Sequence, residues 1–393
     1  MKITRVKPYL FYPGVGKNLL FCRVETDEGI YVWGESYVVQ GKELAVAEYI
    51  KAMAPYMIGR SPFNIKHTGN AMYNDFAIRR NTADFLSAWS GIEIALWDIV
   101  GKAAGQPVYN LLGGASRSKI RVYANGWYDV NFGGDDSPDG MAERALKVKS
   151  MGFTAMKWDP FGRIPWRYRV TQEQEDRAVE CVKKIREAVG PETDLLIEVH
   201  RRLSPWYAAH FAKRIEEYRP FWFEEPCPSD NIDLVAEAKR HISIPVVTGE
   251  NLCTKEDFRE AFEKRAADII NPDVCICRGI LGTLEIASMA EPYCLMLSPH
   301  NYNSTIIGMA ATVHVAAVAS NFLIAEHFLN IKPACDKIVI NPLKFKDGFL
   351  ELPSAPGLGV DIDLKELEKH PYQEFKKEFP VKGVAQYYEE PVI

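Results

Sequence analysis

Six reactive side chains recur along this sequence at an almost constant interval. Glu198, Glu224, Glu250, Asp273, His300 and Glu326 each close a short apolar run, and the successive gaps are 26, 26, 23, 27 and 26 residues. One strand plus one helix takes about 25–30 residues in a parallel barrel. The interval therefore predicts one such group at the end of each successive strand, all facing a common mouth. The apolar runs from residue 118 onward are KIRVYAN, TAMKWDP, DLLIEVH, PFWFEEP, IPVVTGE, DIINPDV, LMLSPH and FLIAEHF. Helix-compatible stretches such as RAVECVKKIREAVG and EDFREAFEKRA lie between them. Eight strands alternating with helices predict an α/β fold of the (β/α)₈ barrel type.

The flanking regions differ in texture. Residues 1–117 read as an α+β unit, with two strands either side of the turn Thr26-Asp27-Glu28-Gly29 and three helical stretches. The last of these, FLSAWSGIEIALWDIVGKAAG, is stopped by Gly105 and Pro107. The barrel takes residues 118–328, and 329–393 read as a C-terminal segment that packs back onto the N-terminal unit. Ile306–Ala325 carries no formal charge over 20 residues, the length of a membrane span. Gly308, His314 and Ser320-Asn321 interrupt it, so a buried helix followed by a buried strand is expected, with no membrane partner. Apolar residues are 47% and charged residues 25%, an ordinary globular mix. A net charge of −5 gives no reason to expect nucleic acid. The eight cysteines lack zinc spacing and read as free thiols of a cytoplasmic protein. The N-terminal MKITRVKPYLFY alternates like a strand and lacks the apolar run of a signal peptide.

The ladder also carries chemistry. Glu198, Glu224 and Glu250 come from adjacent strands, and three carboxylates share a cavity only with a compensating cation. Oxygen ligands suit a hard ion that keeps positions open for water and substrate, which points to Mg²⁺. A single glutamate in such a place could merely cap the following helix; three at equal spacing argue for a metal site. His200 lies two residues after Glu198 in LLIEVHRR, and strand alternation puts both on one face. Lys157 and Asp159 share a face for the same reason. Asp273 and His300 are one barrel unit apart and can pair, which fixes the imidazole tautomer and raises its basicity. His67, His210, His241, His314, His327 and His370 read as ordinary surface or core residues.

Taken together, these residues resemble the mandelate racemase branch of the enolase superfamily, over essentially the whole chain. ALWDIVGKAAGQPVYNLLGG is similar to the segment that joins cap to barrel there. The family's metal-binding carboxylates match Glu198, Glu224 (in FEEP) and Glu250 (in TGEN). Its Asp–His dyad matches Asp273 (in NPDV) and His300 (in SPHN), and its last-strand glutamate matches Glu326. VYANGWY, KWDPFG and LLIEVHRR resemble acid-sugar dehydratases of the gluconate/galactonate type. Two departures stand out. Asp159 occupies the place of the second lysine of a racemase's Lys-x-Lys, which disfavours a two-base racemase. Glu198 replaces the more usual aspartate.

The resemblance implies a dehydratase with one Mg²⁺ per subunit, in a homo-oligomer. His300, backed by Asp273, would take the C2 proton of a small acid sugar. Glu326 and Lys157 would hold the substrate carboxylate, Asp159 would lie at the substrate, and His200 would protonate the departing C3 hydroxyl. A racemase, epimerase or cycloisomerase using the same enediolate is the rival reading, and a non-catalytic binding barrel is a third. Specificity is expected from the cap loop Tyr12–Asn18. Arg79-Arg80, Trp127, Tyr128, Trp166 and Tyr302 are further candidates for sugar contact, packing being the commoner role of such aromatics.

Overall fold

The computed structural model describes residues 1–78, 82–128, 132–133, 135–162, 170–302, 304 and 306–375. Strands β1 (Ile3–Phe11), β2 (Leu19–Thr26) and β3 (Tyr31–Ser36) form an antiparallel sheet, with the expected turn at 27–30 joining the last two. Helices α1 (Glu43–Met57) and α3 (Ala83–Ala104) pack on it, and α2 (Ile65–Met72) packs on α3. The Thr82 side chain accepts the Phe85 N–H at the start of α3, and Gly105, at φ +64°, ends it. A short helix, α4 (Val108–Leu111), leads to the barrel. Strand β3 and helix α3 touch through backbone: a Cβ on Gly34 would lie 1.7 Å from the Gly91 carbonyl oxygen. No larger residue fits there.

The barrel strands are β4 (Lys119–Asn125), β5 (Ala155–Trp158), β6 (Asp194–Glu198), β7 (Trp222–Glu224), β8 (Val246–Thr248), β9 (Ile269–Ile270), β10 (Met296–Leu297) and β11 (Ala325–Phe328). Each of β4 to β9 pairs in parallel with the next, and β11 pairs with β4. The ring closes where the Leu323 N–H meets the Leu297 carbonyl at 2.8 Å. All eight expected strands are present. Helices α5 (Pro138–Ser150), α6 (Gln172–Val189), α7 (Pro205–Ile215), α8 (Ile232–Lys239), α9 (Lys255–Glu263), α10 (Gly279–Ala290), α11 (Ile306–Val318) and α12 (Lys332–Ile338) alternate with them. Ser137, Thr171, Ser204, Asn231 and Thr254 cap five of these through their side chains, as polar residues before an amphipathic run should. The uncharged stretch 306–325 is the buried helix α11 and the approach to β11. Among the described residues no helix is long and apolar enough to cross a membrane.

Inside the barrel Tyr123, Ala155, Leu196 and Trp222 belong to one buried apolar cluster. Two residues further along their strands stand Asn125, Lys157, Glu198 and Glu224. Strand periodicity thus lays a polar layer directly on an apolar floor.

The N-terminal sheet and helices cover the mouth, and carboxylates hold them there. Glu93 of α3 accepts the N–H groups of Ile280 (2.7 Å) and Leu281 (3.0 Å) at the start of α10, and that of the Trp97 indole (2.8 Å). Glu35 of β3 accepts the Gly308 N–H (2.8 Å) in the first turn of α11. Negative groups are favoured at helix N-termini, where N–H donors lack partners. Barrel helices begin on the side where the strands end, so both contacts draw the cap onto the mouth.

Gly279→Ala tests this seam. Gly279 adopts φ +79°, and a Cβ there would lie 1.9 Å from Glu93 Oε2. Left-handed strain and loss of the cap should together lower stability by about 2–4 kcal/mol. An unchanged unfolding midpoint would show that Glu93 does not anchor the cap.

The C-terminal segment divides its attachments rather than only completing the cap. Strand β12 (Val339–Ile340) pairs with β15 (Asp361–Ile362), while β13 (Phe345–Lys346) and β14 (Phe349–Glu351) form a hairpin whose second strand pairs antiparallel with β4 of the barrel. Beyond it, the Leu358 N–H donates to Asp98 of α3 at 2.7 Å. The last barrel helix, α12, also lies past residue 328, so the barrel runs further than its expected boundary.

Candidate active site

The polar layer gathers the ladder residues. Glu198 and Glu224 are in register on β6 and β7, and one oxygen each from Glu198, Glu224 and Glu250 lie within 4.8 Å of one another. Glu224 Oε2 is buried without a hydrogen bond, and Glu198 Oε1 accepts none although His200 Nε2 is 3.2 Å away. Buried acceptors left without donors are costly. Burial lifts Glu224 to about 7 against the downward pull of Lys157. Oxygen donors of this kind, crowded and unsatisfied, fit a hard divalent cation.

Lys157 is the central counter-charge. Its Nζ lies 2.7 Å from Glu224, 2.9 Å from Glu326 and 3.3 Å from Glu198. Glu326 also accepts from the Asn125 amide and from the Asn301 N–H, the latter at 2.7 Å. Burial would raise its pKa, but Lys157, His300 and the Asn301 N–H together bring it down to about 2. Both Glu326 oxygens are engaged, one by Lys157 and Asn125 and the other by the Asn301 N–H, so Glu326 also fixes Lys157.

Two histidines flank the carboxylates, each anchored through Nδ1. His300 Nδ1 lies 2.8 Å from Asp273 Oδ2, with Nε2 3.2 Å from Glu250 Oε2. The backbones of Asp273 and His300 also form an isolated parallel bridge. His200 Nδ1 lies 2.7 Å from Asp159 Oδ2, and its Nε2 faces Glu198. His200 does not reach the chamber by strand alternation, since β6 ends at Glu198. The backbone turns at φ +46° on His200 and +62° on Arg201, and this turn directs the ring. Burial works against charge on both imidazoles. Glu198 and Asp159 outweigh it for His200, as Glu326 and Asp273 do for His300, so both pKa values are raised.

Asp159, expected at the substrate, is engaged by neighbouring groups of the chain. Its two oxygens receive His200, Arg202 (2.7 Å) and the Phe161 N–H (2.9 Å). It serves His200 as Asp273 serves His300. Trp127 is fully buried with its indole N–H on the Lys157 carbonyl, a packing role. His314 is likewise a core residue, with the Tyr109 N–H on Nδ1. Arg79-Arg80 and Trp166 lie outside the described residues. Sequence reasoning missed Asn125, Asn271, Arg201 and Arg202. Asn271 donates to Glu224 Oε1 at 2.9 Å, and Arg201 pairs with Glu250. Asn125 ends the first apolar run, so the rule applied to later strands would have found it.

Comparison with known proteins follows the same division of the chain. Residues 140–367 match the enolase C-terminal domain-like family, and residues 15–113 match the N-terminal domain of mandelate racemase / muconate lactonizing enzyme. The chain belongs to the mandelate racemase/muconate lactonizing enzyme family of the enolase superfamily. Among curated relatives in this family, the D-gluconate dehydratase of Thermoproteus tenax is 34% identical over 364 residues, covering 92% of this chain and 71% of that protein. The D-gluconate/D-galactonate dehydratase of Picrophilus torridus is 32% identical and is covered, like this chain, to 92%. A solved mandelate racemase/muconate lactonizing enzyme from Jannaschia sp. CCS1 is 31% identical. It superposes with a TM-score of 0.89 over 96% of this chain and 99% of its own.

Proposed function

We propose that this member of the mandelate racemase family is a magnesium-dependent sugar-acid dehydratase, a hydro-lyase acting on gluconate- or galactonate-like acids. The observation that carries the reading is the pair of aspartate-anchored histidines on either side of the three glutamates. The names of the curated relatives support the same substrate class. The eight unpaired cysteines suit a reducing cytoplasm.

Glu198, Glu224 and Glu250 would hold Mg²⁺, which supplies positive charge beside the substrate carboxylate. With Nδ1–H donated to Asp273, His300 presents the lone pair of Nε2 and takes the C2 proton. Lys157, held by Glu326, supplies a fixed positive charge as electron density moves into the carboxylate. His200, whose charged form Glu198 and Asp159 favour against burial, would give its Nε2 proton to the C3 hydroxyl. The C3–O bond breaks, water leaves, and the pair from the C2–H bond becomes the C2=C3 double bond. The resulting enol relaxes to a 2-keto-3-deoxy acid. No lysine stands at position 159 to act from the other face, which separates this site from a two-base racemase.

A panel of hexonates and pentonates with Mg²⁺ tests the reading by mass and by 2-keto acid formation. At least one should lose a single water. An isomer of unchanged mass as the only product would replace the dehydratase with an epimerase or cycloisomerase.

A further inference from the structure

Lys17, in the loop between β1 and β2, is only 5% exposed and has no part in the reaction as drawn. Its Nζ donates to the Val38 carbonyl of the cap (2.5 Å) and to the Tyr302 carbonyl of the β10–α11 segment (3.0 Å). The same ammonium sits 4.0 Å from the Tyr302 ring centre and 4.9 Å from that of Tyr37. These partners border the base. The Tyr302 N–H reaches Asp273 Oδ2 at 3.4 Å, and its ring stacks at 6.3 Å and 19° on His300. The Tyr37 ring lies 6.3 Å from His300, and its N–H donates to the Cys275 carbonyl at 3.1 Å.

We infer that Lys17 is a positioning residue that ties the cap to the segment behind His300 and thereby sets the orientation of that imidazole. Carbonyl oxygens and aromatic faces are what a buried ammonium needs, and together they join two separate parts of the chain at one atom. Burial lowers the Lys17 pKa to about 8, with Asp273, Glu35 and Glu43 acting in its favour, so it carries charge at neutral pH. The cap has other anchors at Glu93 and Glu35, so its attachment does not depend on this lysine. Removing the ammonium takes away the one donor that the Val38 and Tyr302 carbonyls share. They separate, and the ring stack on His300 loosens.

This inference rests on the proposed dehydration for its kinetic test and carries a second test that does not. In the magnesium-loaded Lys17→Met protein, kcat should fall by about 10–100-fold, because a small misplacement of a catalytic group is costly, while KM stays within about threefold. Amide hydrogen exchange should quicken about tenfold in peptides spanning 36–40 and 299–302, with the rest of the chain unchanged. Wild-type kcat, or unchanged exchange in both segments, overturns the inference. Should Lys17→Met not fold, Lys17→Arg decides: the bulkier guanidinium keeps the charge but displaces both carbonyls, so kcat should fall and exchange in 299–302 should rise. Wild-type values for both would overturn it equally. A wild-type protein that dehydrates no sugar acid removes the functional reading, while the exchange comparison still decides the role of Lys17.

Discussion

In D₂O, His300→Asn should lose deuterium uptake at C2 and dehydration together, whereas His200→Asn should lose dehydration and keep the uptake. His200 faces Glu198 and His300 faces Glu250, and each is fixed by its own aspartate. Removing the base stops the first bond from breaking, so nothing downstream can occur. Removing the acid leaves the C2 proton exchangeable but hydroxide a poor leaving group. Acid–base assistance is worth about 10²–10⁴-fold, and dehydration by His200→Asn should drop by that order. Recovered substrate should then carry C2 deuterium faster than product forms. Asp159→Asn should give a milder form of the same pattern, because it changes the charge and tautomer of His200 but keeps the ring. Normal dehydration by His200→Asn, or continued exchange by His300→Asn, would reverse or remove these roles.

Loss of the cation should have an effect as large. Glu224→Ala, and wild type in excess chelator, should fall by at least about 10³-fold, since charge stabilisation by a bound divalent ion supplies several kcal/mol. Added Mg²⁺ should restore the chelated wild type and not the variant. Glu224 sits at about 7 without a cation. Metal binding requires its ionised form, so Mg²⁺ affinity measured by calorimetry should weaken as pH falls through that range. Full turnover in chelator would remove the site as assigned, and an affinity indifferent to pH between about 6 and 8 would remove the raised Glu224 pKa.

The barrel and the cluster of three glutamates were legible because they rest on periodicity. Glu198 and Glu224 close their apolar runs, and closing a run at a fixed interval is enough to place a side chain at the mouth. Asp159 shows where that logic stops. Facing the chamber was readable, but which partner the carboxylate would take was decided by Arg202 and by the left-handed turn after β6. That turn has no glycine to announce it. Lys17 was hidden for another reason: the loop Tyr12–Asn18 was read as a substrate contact, while its lysine is spent on main-chain carbonyls far away in sequence. The C-terminal hairpin was missed as a partner of β4 because short strands carry little pattern.

The carboxylates of Glu93 and Glu35 at the starts of α10 and α11 bear on how a substrate gets in. Swinging the whole cap away would strip two helix ends of their acceptors and take those donors from two buried acids. Hinged opening of that kind is therefore an expensive route. Stability and selectivity then rest on different residues. The seam can stay constant while the rim is rewritten, so one scaffold can be retuned to a new sugar acid without being loosened.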